Sequence, residues 1–111
     1  MAKKAFVDYD VVEDILSVNI KEKASDSIEF DRFVIDYSKE GRIVGVEIFK
    51  ASQFVKDFGI LSKEFLMQAK EANFSVIQGK EYALIKIQLL SKLGEQKEIV
   101  VPTPVPQMVR V

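Results

Sequence analysis

The densest group of side chains able to do chemistry is Asp8, Asp10, Glu13 and Asp14. Carboxylates in such a cluster are the donors that hard cations such as Ca²⁺ or Mg²⁺ take, because those ions demand several oxygens. The spacing lacks the central glycine and the closing bidentate glutamate of an EF-hand loop. Aspartates also favour turns through hydrogen bonds to their own backbone. A turn between two strands accounts for Asp10 and Asp14, so these four are the only metal candidates and no metal is expected. Asp36 and Glu47 form a second carboxylate pair, on strands that should meet across a hairpin at Gly41. Two facing carboxylates can share a proton and divide acid and base roles. Lys39 and Arg42 lie close enough to serve instead as ordinary cross-strand charge partners.

What is missing decides more. The 111 residues contain no histidine, no cysteine and no tryptophan. That removes the commonest general base, the thiolate nucleophile, the usual soft metal ligands and any disulfide frame. No serine sits in a nucleophile-elbow setting, so an enzyme here would have to work with carboxylates alone. No catalytic residue and no cofactor is expected. Gly41 and Gly45 stand in a strand–turn–strand setting, which is not a phosphate-binding loop.

Charge narrows the partners. Lys and Arg number 16 against 17 Asp and Glu, a formal net charge of −1. A phosphate-backbone binder carries a basic excess or stripe. Lys3-Lys4 and Lys21-Glu22-Lys23 are too short for either, and nucleic acid is not an expected partner. The apolar stretch after Lys4 is ended by Asp8, so no secretory h-region follows. No apolar run approaches the roughly 18 residues of a membrane span. The expected location is the cytoplasm.

The elements that must position these residues follow from periodicity. Lys4 to Asp8 reads as a first strand, and Leu16, Val18 and Ile20 alternate with Ser17 and Asn19 in a second. Ile28 to Tyr37 is expected as one strand with a break in parity. Ile28 and Phe30 are in phase, and Phe33, Ile35 and Tyr37 are in the opposite phase, which predicts a bend or bulge at Asp31-Arg32. Ser38 to Gly41 makes a hairpin loop, with Gly41 at positive φ. The return strand puts Val44, Val46 and Ile48 on the core face, and Gly45 leaves room for close approach.

Two short helices are expected next. Ala51 to Phe58 buries Phe54, Val55 and Phe58 and stops at Gly59, and Lys63 to Ala72 starts from Ser62 and buries Phe65, Leu66 and Ala69. Phe49, Phe54, Phe58 and Phe65 then pack helices on sheet. Strands resume over Phe74 to Gln78, Tyr82 to Leu90 and Gln96 to Val101. The Pro102-Thr103-Pro104-Val105-Pro106 run cannot enter a central strand, so residues 102–111 are expected as an extended proline-rich tail.

The fold class is therefore α+β in a single domain, 1–111. It is mainly an antiparallel sheet of six to seven strands, with one or two short helices between the fourth and fifth. The N-terminal half is hairpin-based, and the C-terminal half adds the helices and further strands.

Two segments carry a family resemblance. One is Tyr9-Asp10 followed by Glu13-Asp14-Ile15-Leu16. The other is Val34 to Tyr37 with Glu40-Gly41-Arg42-Ile43-Val44-Gly45-Val46-Glu47-Ile48, closed by Ala51-Ser52. Over about residues 6–52 the chain resembles domain-of-unknown-function family 2283, small β-rich bacterial and archaeal proteins with a Tyr-Asp strand and a Gly-x-x-Val-Gly-Ile-Glu-Ile hairpin ending in Ala-Ser. Ser17 departs from the tyrosine often found there. The resemblance implies a compact β-rich unit closed by a helix and no established activity, and some members resemble antitoxin-like partners of small proteins.

The expected function is a non-enzymatic interaction module, a homodimer that can also take another small protein as partner. The alternative is a small-molecule or cation-binding protein with a sheet–helix cavity, and the third reading is a carboxylate enzyme. The interface candidates are Tyr82, Leu84 and Leu90. They lie on the outward face of a long strand whose other face, Ala83 to Leu89, is also apolar. A partner copy or the Phe65–Leu66 helix is expected to cover Leu84.

Overall fold

The computed structural model describes residues 2–104. Eight strands form one antiparallel sheet in the order β3-β4-β5-β2-β1-β6-β7-β8. They are β1 Lys3–Asp10, β2 Ile15–Ile20, β3 Asp26–Phe30, β4 Phe33–Tyr37, β5 Ile43–Phe49, β6 Ala69–Gln78, β7 Tyr82–Ser91 and β8 Gln96–Pro104. Between β5 and β6 come helix α1 (Ala51–Phe54), a 3₁₀ turn (Val55–Phe58) and helix α2 (Lys63–Gln68). The α+β, mainly antiparallel reading holds. The strand count and helix position do not: there are eight strands, and the helices follow the fifth.

The extra strand comes from Asp31-Arg32. Phe30 pairs directly with Phe33, Ile28 with Ile35 and Asp26 with Tyr37. The expected bulge is thus a two-residue hairpin turn, with Asp31 at φ 56°. A reversal turns the two out-of-phase sets toward the same side, so Ile28, Phe33, Ile35 and Tyr37 all face the core. Gly41 has φ 83°, as the hairpin loop requires.

Two further corrections concern length. The second helix ends at Gln68, and Ala69 already opens β6 with φ −77° and ψ 115°. Ala69, Ala72 and Phe74 are buried with a strand's spacing after an initial irregularity, so sheet pairing with β1 and β7 overrides the helical periodicity. The expected tail likewise begins as strand. Pro102 pairs with Leu84 and Pro104 with Tyr82. β8 is an edge strand, where a missing N–H is tolerated. Residues 105–111 of the expected tail lie outside the described residues.

One face of every strand but the short β3 is sealed. Leu16, Val18, Ile35, Val46, Ile48, Ile85, Ile87, Leu89, Ile99 and Val101 are all completely buried. The helices are too small to cover eight strands, so the sheet covers itself by curling. β4 and β8 have five strands between them in the sheet order. Even so, the Thr103 hydroxyl of β8 acts on the Tyr37 phenol of β4. Leu66 of α2 and Val55 of the 3₁₀ turn join the same core. They close the end of the curl where β5 stops and β6 starts. Burying a leucine such as Leu66 stabilises by about 1.5–3 kcal/mol. Ser62 accepts a hydrogen bond from the Glu64 N–H at 3.0 Å and starts α2, and Gly59 at φ 82° ends the preceding turn.

Candidate functional site

Three places combine polar chemistry with a defined geometry. The first is a node at the closed end. Asp14 sits at the tip of the β1–β2 turn with φ 58°, a left-handed conformation that aspartate tolerates better than most residues. Its carboxylate accepts the Tyr9 hydroxyl at 2.6 Å. It also accepts the Ser52 hydroxyl at 2.6 Å and the Ser52 N–H at 3.0 Å. The Asp14 carbonyl accepts the Ala51 N–H at 3.0 Å. The aspartate thus satisfies the first free N–H groups of α1, although it lies 38 residues from Ser52 in sequence. Partial burial pushes the Asp14 carboxyl upward, but the bonds from Ser52 and Tyr9 outweigh it and hold it below the usual range. Burial, reinforced by the bond to Asp14, pushes the Tyr9 phenol well above its ordinary value.

A serine beside a carboxylate suggests a nucleophile, but the electrostatics oppose it. A carboxylate with a lowered pKa is a weak base, and no imidazole stands between it and Ser52. The node is a clamp.

The four acidic candidates do not converge. Asp8 points outward from β1, opposite Ser17. Asp10 accepts the N–H groups of Val12 and Glu13 at 3.0 and 2.9 Å, the Asx-type turn anticipated for it. Glu13 is exposed, and Asp14 belongs to the clamp. Among the described residues no group of three or more His, Cys, Asp or Glu is placed to hold a metal ion.

Asp36 and Glu47 lie on adjacent strands but not opposite each other. Asp36 pairs with Gly45, and Val34 pairs with Glu47. The Ser27 hydroxyl donates to Asp36 at 2.6 Å. Arg42, expected as a partner for this pair, turns the other way. It bonds Glu22 at 2.6 Å and Glu40 at 3.5 Å, while Lys3 reaches Glu22 at 3.4 Å. Those bonds, that from Arg42 foremost, hold the Glu22 carboxyl below its usual range.

This ion-pair cluster rims the second place, a basin at the open end of the curl. Its apolar wall is Ile20, Ile43, Phe74 and Val76, and its volume is about 350 Å³. It lies at the end away from the helices. Deeper in that end, Tyr37 is buried with its hydroxyl unpartnered. Burial raises the phenol's pKa, and Thr103 opposes the shift without completing a well-formed bond. A second concavity of about 370 Å³ lies at the helix end, against Phe65, Gln68 and Leu93. The phenylalanines expected on the helices do pack on the sheet: Phe54 meets Phe33 edge-on at 5.2 Å and Phe58 at 5.3 Å. Arg32 sits 5.9 Å over the Phe54 ring.

The third place is the outer face of β6–β8, where the interface candidates lie. Tyr82 is 59% exposed, and Leu84 and Leu90 are half-buried. Register puts Ile77, Leu84 and Pro102 side by side across three strands, with Tyr82 next to Pro104. Ile77 is 53% exposed. Leu66 belongs to the inner face, with Ile85, Ile87 and Leu89. The Phe65–Leu66 helix therefore does not cover Leu84, and no other element of the described chain does.

Periodicity singled out the outer-face candidates but missed the clamp and the rim. The only signal for the clamp was that Tyr9, Asp14, Ala51 and Ser52 belong to one motif. Nothing in the sequence linked Glu22 to Arg42.

Fold and site together define a small curled α+β sheet protein whose strongest polar cluster is structural. Residues 7–52 match the family described as Protein of unknown function (DUF2283), the family that the two motifs resemble. The matched segment runs from β1 to the start of α1, and so contains the whole clamp. No curated protein and no solved structure matches the chain. Among the described residues no helix is long and apolar enough to cross a membrane.

Proposed function

We propose that this protein is a non-enzymatic interaction module that works as a homodimer in the cytoplasm and can present its remaining surface to another small protein, as antitoxin-like partners do. One observation carries the reading. The Ile77–Leu84–Pro102 strip and Tyr82 form a contiguous apolar patch on a sheet face that nothing in the described chain covers. Contiguous exposed apolar patches of this kind mark interaction sites. The chemistry around the carboxylates agrees: Asp14 is engaged in the clamp and Asp36 is held by Ser27. Light scattering on the native chain at micromolar concentration tests the reading. A mass of twice 12.6 kDa is expected, and a monomer refutes it.

A second reading has its own observation. The open-end basin, with an apolar wall and a charged rim, is the size of a small-ligand site. On this reading the protein binds a compact apolar molecule there. Backbone amide shifts of Ile43, Phe74 and Val76 during titration with an apolar carboxylate such as octanoate would support it. An unchanged spectrum at millimolar octanoate counts against it.

A further inference from the structure

The outer face of the sheet divides into two electrostatic halves. From Phe6 to Asp10 of β1 and throughout β2, β3, β4 and β5 there is no lysine or arginine. The outward positions of that half carry Asp8, Asp10, Glu29, Asp36 and Glu47, by their register opposite Ser17, Ile15, Val34, Gly45 and Val34. The other half carries both signs in pairs. Lys4 meets Glu71 at 3.0 Å, and Lys86 meets Glu98 at 3.9 Å. Between and beside those pairs stand Ile77, Tyr82, Leu84, Val100 and Pro102.

A two-fold dimer places the same patch on both subunits, so a patch of one sign faces itself. Over β2–β5 that would stack carboxylate on carboxylate in a drying interface, which opposes association. Over β6–β8 the charges are balanced, with Lys4 of the adjoining β1, and the apolar residues gather at one end, in the Ile77–Leu84–Pro102 and Tyr82–Pro104 rows. We infer that the occupant of the β6–β8 outer face is a second copy of this chain, stacked sheet on sheet, and that the acidic half stays outside the contact. This rests on the homodimer reading and specifies its geometry.

The size fits. Three strands at about 4.8 Å spacing, over four to five outward residues each, make a footprint on the order of 400 Å² in projection. Stable pairs bury about 600–1,000 Å² of accessible surface per partner, which exceeds a flat projection because side chains are corrugated. Nearly the whole strip must then be used. A single charge at Leu84, flanked by Ile77 and Pro102, falls in the region the contact cannot spare.

Two variants separate the possibilities. Leu84→Lys disturbs the balanced half, and Val34→Lys disturbs the acidic half. Both positions are half-buried on the outer face, so the fold is checked in each by far-UV circular dichroism and melting temperature. The mass of each is read by light scattering between 1 and 100 μM (about the range of a modest dimer). The expected result is a native dimer, a folded Leu84→Lys monomer and a folded Val34→Lys dimer. If Leu84→Lys loses its fold, Tyr82→Glu replaces it: that side chain is mostly exposed, and a dissociation constant raised at least tenfold is expected. A native dimer that survives Leu84→Lys or Tyr82→Glu, or that is broken by Val34→Lys alone, overturns this geometry while leaving the homodimer intact. A native chain that is monomeric at 100 μM overturns both.

Discussion

The Ser52 hydroxyl donates to Asp14 at 2.6 Å and so ties the start of α1 to the turn between β1 and β2. Tyr9 reaches the same carboxylate from the end of β1. The helix segment therefore arrives at the closed end of the sheet with its direction already set. The residues of the two motifs make that junction, and the bonds they form hold helix to sheet.

Removing the clamp should cost stability and nothing else. Asp14→Ala leaves the Ser52 and Tyr9 donors without their acceptor and puts alanine at φ 58°. A loss of about 1–3 kcal/mol is expected in urea unfolding. Asp14→Asn keeps a residue that tolerates this φ and one acceptor oxygen, so it should lose less. Equal losses for the two variants would show that neither the backbone preference nor the remaining acceptor oxygen matters.

The same carboxylate sets a pH dependence. Its pKa is lowered in the folded state, so the unfolded chain binds the proton more readily. The stabilisation is complete above the ordinary carboxyl range and is lost as the pH falls below about 4, through the folded value. Denaturant titrations between pH 7 and pH 3 should show native stability falling more steeply than that of Asp14→Asn. Parallel curves would remove Asp14 from the acid response.

Tyr37 predicts a gain. Its hydroxyl is buried without a hydrogen-bond partner, and an unmet buried hydroxyl carries a desolvation cost of about 1–3 kcal/mol. Tyr37→Phe keeps the ring and should be neutral or more stable by up to about 1 kcal/mol. A melting temperature several degrees lower would mean that the hydroxyl is bonded in solution.

Glycine is required at the second hairpin. Gly41 has φ 83°, and a β-branched side chain is strained there. Gly41→Val should destabilise by more than about 1 kcal/mol. An unchanged thermal melt would contradict it. Gly45 is constrained differently: a Cβ there would press on Asn19 Oδ1 and lie 3.1 Å from Asp36 Oδ2. The close approach anticipated for Gly45 is thus made by the two neighbouring strands of its own sheet.

No turnover is expected on ester, phosphoester or peptide panels, because the chain has no histidine and no cysteine and Asp14 is a poor base. Activity that disappears in Asp36→Asn or Glu47→Gln would overturn this.

Alternation revealed which side of each strand is buried. Leu16, Val18 and Ile20, then Val44, Val46 and Ile48, then Ala83 to Leu89 are on the core face as their spacing demands. It did not reveal where a chain reverses. A parity switch at Asp31-Arg32 has the same sequence signature in a bulge as in a two-residue turn, because both move the next side chain to the opposite phase. Ala69 to Ala72 fit a helical stripe and a strand alike, and pairing on both sides by β1 and β7 decided it. The clamp and the Glu22 rim depend on tertiary closure between distant segments, which no local period encodes.

The seam between β1 and β6 has a consequence for how the chain is made. β1 has one neighbour close in sequence, β2, and another, β6, contributed from far downstream, with Ala5 facing Ala72. During synthesis β1 holds one open flank until β6, far downstream, has followed it. Through that interval the family segment is an unfinished ribbon, exposed to pairing with a neighbouring nascent chain. Pairing with β6 then closes that flank from within the same chain.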